Sequence, residues 1–302
     1  MPSMISPASY VDGQYDLRLD AAREQCHAPA DWQDLGERNG CNTFKSYLPG
    51  LEAPFLKGET VVSGVSPEAV LATLLDGTCR AAWDEFCGSA TITHRFAPDT
   101  FAFYVAGRSP IPLISARDVG AVAKIYRGGD TIELVQTSID GLHPAQKGFV
   151  RATVQASWTL APSGYDTKIV MILHSLPNGK IPVSILERGA SIAAAAPGHL
   201  RDFICKHGTV PFMIGRPDGL VNRGTETNLK KSLWSQTVTA AQGKITIAFD
   251  SEKMYKAGVM VVLSGEGAHG AATAVDNDRV TIVSPACCDG LSMTINLSPK
   301  RA

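Results

Sequence analysis

Several common chemical signatures are missing from this 302-residue chain. It has no Cys-x-x-Cys pair, and its seven cysteines are odd in number and scattered, so neither a zinc site nor a disulfide framework is predicted. It also has no Gly-x-Ser-x-Gly, no His-Glu-x-x-His, no phosphate-binding loop and no histidine pair at metal-ligand spacing. We therefore expect no metal, no cofactor and none of the enzyme mechanisms that these motifs carry.

An excess of charge of one sign is missing as well. The chain carries 28 Lys and Arg against 29 Asp and Glu, without a basic stripe, so nucleic-acid binding is not expected. No apolar run reaches the roughly 18 residues of a membrane-spanning helix. Residues 1–10 lack the basic and apolar regions of a signal peptide. These absences predict a cytoplasmic protein.

Helical patterns occur in three places. Residues 16–27 predict a short amphipathic helix. Ser66-Pro67-Glu68 has the N-cap, the proline and the acidic residue that begin a helix, which we expect to run to Leu75. Residues 182–206 carry apolar side chains at helical spacing and predict a long helix, which Pro197 is expected to kink.

Strand patterns fill the sequence between these helices. Apolar and polar residues alternate from Phe149 to Leu160 and again from Thr167 to His174. Shorter apolar runs occur at 100–105, 116–125 and 131–139, with turn residues between them. This arrangement predicts an antiparallel sheet and an α+β fold.

The composition changes near residue 215. We predict an N-terminal tail over 1–15, a larger domain over 16–214 and a small β-rich domain over 215–302, joined by a linker near 215–228. Short β-runs between glycine and aspartate turns indicate that the last domain is all-β. Its exposed strand edges favour contact with a protein partner or with a second copy of the chain.

A series of short motifs runs through the larger domain in a set order. They are Trp83-Asp84, Arg117-Asp118, His143-Pro144, Gly148-Phe149-Val150-Arg151, Trp158, the turn from Pro177 to Pro182, and Pro197 before Leu200-Arg201. In order and spacing, residues 16–210 resemble the START family of lipid-transfer domains. The resemblance implies a helix-grip fold, in which a curved antiparallel sheet wraps a long C-terminal helix.

The resemblance also implies a hydrophobic pocket that binds one lipid-like molecule, with transient membrane contact at a gate formed by the last helix and neighbouring loops. Strand alternation and the apolar stripe of that helix predict the ligand-binding residues, which are Phe101, Phe103, Tyr104, Val105, Ala123, Leu134, Val154, Trp158, Met171, Ile185 and Ile192. Cholesterol-binding members carry an internal acid and an internal arginine. By spacing, these correspond to Tyr104 or Val105 and to Ala123, so neither charge is present here.

Two other functions remain open. A cyclase or pericyclase acting on a hydrophobic metabolite can use the same pocket, and its candidate catalytic residues are Arg117, Asp118, His143 and His174. A scaffold can instead use the β-rich domain for protein contacts. Against catalysis, we expect a structural salt bridge between Arg117 and Asp118, an orienting hydrogen bond at His143, a packing role for Trp83, and solvent exposure of His174 and Glu133.

Overall fold

The computed structural model describes residues 13–109 and 114–300, which form two compact units. The first unit holds the described residues up to 67 and from 80 to 202, and the second holds 68–79 and those from 203 onward. The boundary at residue 215 stays a prediction. The division by packing differs from it, because residues 68–79 and 203–214 pack with the C-terminal strands.

The helices confirm two of the three predictions and correct the third. They are α1 (Asp16–His27), α2 (Pro67–Leu75), α3 (Gly77–Trp83), α4 (Val183–Ala194) and α5 (Ala196–His207). The long helix predicted over 182–206 is two helices that separate at Ala195. Pro197 lies in the first turn of α5, where a missing N–H costs no helical hydrogen bond. No helix of the described residues is long and apolar enough to cross a membrane.

The first unit is built on one large sheet. Its strands are β1 (Gln33–Arg38), β2 (Cys41–Ser46), β3 (Phe55–Val62), β4 (Cys87–Ala97), β5 (Thr100–Gly107), β6 (Ala116–Gly128), β7 (Thr131–Ser138), β8 (Phe149–Arg151), β9 (Thr153–Ser163) and β10 (Asp166–Leu176). Neighbours are antiparallel in the order β1-β2-β3-β10-β9-β7-β6-β5-β4. The predicted antiparallel sheet is confirmed.

One predicted strand is divided in two. The alternation from Phe149 to Leu160 predicts a single strand, but the strand is interrupted at Ala152. The short segment β8 pairs in parallel with the start of β6, and the Ala152 N–H donates to the Asp118 carbonyl at 2.9 Å. Because the apolar alternation continues through Ala152, the sequence carries no sign of this change of partner.

The second unit contains two four-stranded antiparallel sheets, in the orders β11-β14-β17-β16 and β12-β13-β18-β15. Their strands are β11 (Phe212–Gly215), β12 (Val221–Asn228), β13 (Leu233–Thr239), β14 (Gly243–Ala248), β15 (Val259–Ser264), β16 (Ala272–Asp276), β17 (Arg279–Ser284) and β18 (Ser292–Pro299). The predicted C-terminal all-β region is therefore present. Part of the predicted linker forms β12. Helix α2 belongs to this unit, where Asp76 accepts a hydrogen bond from Thr227 at 2.5 Å.

Candidate functional site

The large sheet has two chemically different faces. On one, Ala102, Val122 and Val135 pack against Leu19 and Ala22 of α1, and we call this the α1 face. Successive side chains of a strand point to opposite sides. On β5, β6 and β7, the residues directly before and after these three therefore lie on the other face.

Helices α4 and α5 lie on that other face, which we call the α4 face. The evidence is the close approach at Gly58, where a Cβ would stand 2.0 Å from the Ala194 carbonyl oxygen and 3.0 Å from Pro197. Gly58 pairs with Met171 on β10, and Met171 pairs with Trp158 on β9. Glycine at this position lets the junction between α4 and α5 rest directly on β3.

The strand residues predicted to bind a ligand fall on the α4 face, with one exception. Those on this face are Phe101, Phe103, Val105, Ala123, Leu134, Val154, Trp158 and Met171. All are buried except Val154, which is partly exposed. The exception is Tyr104, which lies on the α1 face because it alternates with Phe103 and Val105. The apolar layer is thus continuous across β5, β6, β7, β9 and β10.

Helix α4 is itself only partly buried. Among its residues only Ala194, at the C-terminal end, is buried. The predicted residues Ile185 and Ile192 are partly exposed, and Val183 and Leu186 are 69% and 40% exposed. In the described chain α4 packs chiefly on β2, β3 and β10. The apolar side chains of α4 therefore have exposed surface that a hydrophobic molecule can contact.

Gln136 is a polar residue in the middle of the α4 face. It lies on β7 between Ala123 of β6 and Ala156 of β9, which are its paired neighbours. The side chain is buried, with the residue only 6% exposed, and it has no hydrogen bond to any residue that the structure describes. Sequence reasoning missed it. The available signal was its position two residues after Leu134, where the alternation requires an inward apolar residue.

Arg95 brings a positive charge to the same face, at the β4 edge of the sheet. It pairs with Phe101, and its guanidinium lies 5.4 Å from the centroid of the Phe101 ring. Trp83 packs edge-on against Trp158 with ring centroids 6.1 Å apart, as expected for a tryptophan that joins a helix to the sheet. Its buried Nε1 has no hydrogen-bond partner in the described chain.

The α1 face carries a network of partnered polar groups centred on Asp118, which is 1% exposed. Arg151 binds this carboxylate through both Nε and Nη2, at 2.9 Å each, and the Tyr104 hydroxyl donates to it at 2.8 Å. Burial alone would raise the pKa of Asp118. The hydrogen bonds from Arg151 and Tyr104 outweigh burial and hold this pKa below its usual value.

A sequence model of the START domain matches residues 30–195, which is more than half of the chain. The chain belongs to the START family. Among solved structures, human StAR-related lipid transfer protein 5 is 21% identical with a TM-score of 0.58, over 65% of this chain and 98% of that one. Human STARD10 is 20% identical with a TM-score of 0.54, over 63% and 80% of the two chains.

A STAR-related lipid transfer protein from Xanthomonas axonopodis is also similar, at 20% identity and a TM-score of 0.51, over 58% of this chain and 97% of that one. At these identities the likeness shows a shared fold. No curated protein matches the chain at a significant level. The START match ends at residue 195, so it carries no information about the two C-terminal sheets.

The candidate catalytic residues of the START domain lie mostly away from the α4 face. The predicted salt bridge between Arg117 and Asp118 is wrong, because adjacent residues of a strand point to opposite sides. Asp118 pairs with Arg151 instead. Arg117 donates to the carbonyls of Pro177 and Asn178, at 3.1 and 2.9 Å, and so holds the turn that precedes α4.

His143 is enclosed by the Asp118 network. Its ring lies against Tyr104, with centroids 5.4 Å apart, and over Gly120, where a Cβ would approach the ring to 2.7 Å. Its Nε2 is 3.4 Å from the Thr93 hydroxyl, and its carbonyl accepts from Arg151. Burial lowers the pKa of His143. These contacts favour the orienting role predicted for this residue.

Glu133 does not face solvent, contrary to expectation, and His174 is only partly exposed. His174 stacks on Phe55 at a centroid distance of 4.9 Å, and its buried Nε2 has no partner in the described chain. Burial lowers the pKa of His174. Glu133 is 6% exposed and binds Arg23 and His27 of α1, each at 2.7 Å. The sequence alone did not show that α1 covers this face and supplies those cations.

Proposed function

We propose that the START domain binds one lipid-like hydrophobic molecule between the α4 face of the sheet and helix α4. The observation that carries this proposal is the continuous apolar layer from Phe101 to Met171, over which α4 buries only its last turn. A ligand lying there gains contact with the sheet and with the partly exposed stripe of α4. Burying about 400 Å² of apolar surface contributes on the order of 10 kcal/mol before association costs.

We further propose that α4 is the gate of a helix-grip fold. Its seat on the sheet is at Gly58, near its C-terminal end, while its N-terminal turns expose Val183 and Leu186. The first turns can therefore move without breaking buried contacts at the seat. Exposed apolar residues on this moving segment are also suited to transient contact with a membrane surface during ligand exchange.

Native mass spectrometry after incubation with lipid vesicles tests the binding site. Vesicles of phosphatidylcholine, phosphatidylserine and cholesterol are mixed with the full chain, which is then separated from them. The expected result is a one-to-one lipid adduct. The variant Ala123→Phe fills the α4 face and is expected to retain at least about tenfold less lipid, since the added ring occupies ligand space.

The matched control is Ala161→Phe, because Ala161 lies on β9 but points to the opposite side from Trp158 and Leu160. It is expected to retain lipid like the unaltered protein. If Ala123→Phe does not fold, as judged by circular dichroism, Val154→Trp at the partly exposed edge of the layer replaces it. Absence of any lipid adduct on the unaltered protein overturns the proposal, as does equal loss in the control.

A further inference from the structure

The edge strands of the three sheets differ in how well they are protected against pairing with another strand. An edge strand exposes unpaired backbone groups, and natural proteins block it with bulges, charges or short length. Bulges interrupt β1 and β4 at the two edges of the large sheet, and β11 and β12 at one edge of each C-terminal sheet. The edge strand β16 is short and ends in Asp276. These edges are therefore poor partners for another strand.

Strand β15 is the remaining edge among the described strands, and it has none of these protections. Its sequence, Val-Met-Val-Val-Leu-Ser, contains no charge and no proline, and it pairs with β18 along its whole length in unbroken register. Met260 and Val262 are 50% and 49% exposed on the outer side of the sheet. A regular, uncharged and apolar edge of this kind favours pairing with another strand.

The backbone of β15 is oriented for such pairing. The Lys300 N–H donates to the Gly258 carbonyl at 3.0 Å, so these two residues form a hydrogen-bonded pair of the ladder with β18. Such pairs alternate along antiparallel strands, and every second residue from Gly258 therefore bonds to β18. The N–H and C=O groups of Val259, Val261 and Leu263 point to the opposite side. Among the described residues no strand pairs with β15 on that side.

A second copy of the same strand fits this edge in one antiparallel register. With a two-fold axis at Val261, the exposed Met260 side chain lies beside Val262 of the second copy, and the same contact occurs again across the axis. This register also brings Lys256, before β15 in one copy, towards Glu266, after β15 in the other, and both residues are exposed. The opposite charges at the two ends therefore favour antiparallel pairing of two copies over parallel pairing.

We propose that the chain forms a symmetric dimer through β15, in which the two copies of this strand pair antiparallel about a two-fold axis at Val261. The sheets β12-β13-β18-β15 of the two copies then form one continuous sheet. Assembly stops at two copies, because the outer edges of the joined sheet are the bulged strands β12, which carry Arg223 and Glu226. The inference concerns the second unit and does not depend on lipid binding by the START domain.

Sedimentation velocity of the full chain tests the dimer over concentrations from about 1 to 300 μM, a range that covers micromolar dissociation constants. The unaltered protein is expected to change from monomer to dimer within this range. Val261→Pro removes an N–H that faces the free edge and leaves the hydrogen bonds to β18 in place, and proline is tolerated at such edge positions. It is expected to raise the dimer dissociation constant at least about tenfold.

Thr273→Pro is the matched control on the β16 edge. Asp276 and Arg279 pair at the turn between β16 and β17, so the alternation also directs the Thr273 N–H away from its neighbouring strand. This variant is expected to dimerise like the unaltered protein. If Val261→Pro does not fold, as judged by circular dichroism, Val262→Lys replaces it, because its exposed position tolerates lysine while the charge opposes burial in the dimer.

A charge exchange tests the antiparallel register. Lys256→Glu is expected to weaken dimerisation about threefold, and adding Glu266→Lys to the same chain is expected to restore it. Failure of the second substitution to restore the dimer overturns the register. A dimer unaffected by Val261→Pro or Val262→Lys, or equally weakened by Thr273→Pro, overturns β15 as the interface. A monomer at every concentration overturns the dimer and leaves this edge to a strand of another protein, and growth beyond two copies overturns the closed symmetry.

Discussion

The two faces of the START sheet treat buried polar groups differently. On the α1 face, the acids Asp118 and Glu133 each bind an arginine, and the Gln155 amide binds a backbone carbonyl. On the α4 face, Gln136 is as buried as Glu133, at 6% exposure, and makes no hydrogen bond to a described residue. The α1 face thus pairs most of its buried polar groups, with the buried Nε2 of His174 as an exception, whereas Gln136 on the α4 face makes no hydrogen bond to a described residue.

The difference separates residues that hold the fold from those available for binding. A partnered buried polar group fixes register, since only one alignment brings donor and acceptor together. Arg151 does this by tying β8 to Asp118 of β6. An unpartnered group makes folding less favourable, and a molecule that satisfies it regains that free energy on binding. The most buried polar residue is therefore not by itself the functional one.

The largest expected effect comes from removing a partner on the α1 face. Arg151→Ala leaves the Asp118 carboxylate buried, with the Tyr104 hydroxyl as its remaining side-chain donor among the described residues. We expect the free energy of unfolding, measured by urea denaturation, to fall by about 3 kcal/mol. The control is Arg127→Ala, whose ion pair with Asp99 is exposed and 3.9 Å long, and which is expected to cost less than about 1 kcal/mol. Equal losses in the two variants would contradict the structural importance of the network.

A somewhat smaller effect is expected at the seat of α4 on the other face. Gly58→Ala places a methyl group against the Ala194 carbonyl, a backbone atom that cannot rotate away. We expect the free energy of unfolding to fall by about 2 kcal/mol because the junction of α4 and α5 must shift. Gly128→Ala, with no atom within 4 Å of the new Cβ, is expected to change stability by less than about 0.5 kcal/mol. A Gly58→Ala variant as stable as this control would show that the junction does not rest on β3.

The composition of the α4 face could be predicted from the sequence, because alternation is a local property of each strand. Parity alone predicts that Phe101, Phe103, Leu134 and Trp158 lie on one side of the sheet, and the register of the strands agrees. Tyr104 is predicted with them but lies on the opposite side, as strict alternation with Phe103 and Val105 requires. The START motifs supplied the order of elements that local patterns could not.

What the sequence could not show depends on contacts between distant segments. The break at Ala152 arises because β8 finds a partner in β6, and no local residue marks it. Helix α2 lies between START strands in the sequence, yet it packs with the C-terminal sheets through the contact of Asp76 with Thr227. The sequence shows that Gln136 interrupts the apolar alternation of β7. Whether it has a hydrogen-bond partner depends on the neighbouring strands, which the sequence does not reveal.

The two glutamines give a direct test of the contrast between faces, with effects near 1 kcal/mol. Gln155→Leu removes a partly buried hydrogen bond to the Ala22 carbonyl, so we expect a loss of about 1 kcal/mol in the free energy of unfolding without lipid. Gln136→Leu removes an unpaired amide at similar volume, so we expect unchanged or increased stability. Chemical denaturation of the lipid-free proteins measures both. Destabilisation by Gln136→Leu equal to that of Gln155→Leu would mean that Gln136 is already satisfied within the fold.

The smallest expected effect is a dependence of stability on pH that belongs to the α1 face. Burial lowers the pKa of His143 and of His174 below the ordinary value of about 6.5. As pH falls below about 6.5, the unfolded chain therefore takes up protons before the folded chain does, and stability decreases. Asp118 affects stability only at lower pH. Its pKa is held below the usual value of 3.8, so its stabilisation is present above about pH 4 and is lost only on further acidification.

Thermal denaturation between about pH 7.5 and pH 5.5 isolates the histidine contribution, since Asp118 remains ionised throughout this interval. His174→Phe keeps an aromatic ring against Phe55 but cannot take up a proton, and it is expected to reduce the decrease in melting temperature. His269→Phe, at an exposed position of the second unit, is expected to leave the decrease unchanged. Lipid retention by the unaltered protein should stay constant from about pH 7.5 to pH 6.5, because the predicted ligand-binding residues of the α4 face carry no group that titrates in this interval. If lipid retention and melting temperature fell together between about pH 7.5 and pH 6.5, protonation on the α1 face would be controlling binding on the α4 face. The two faces would then not be independent.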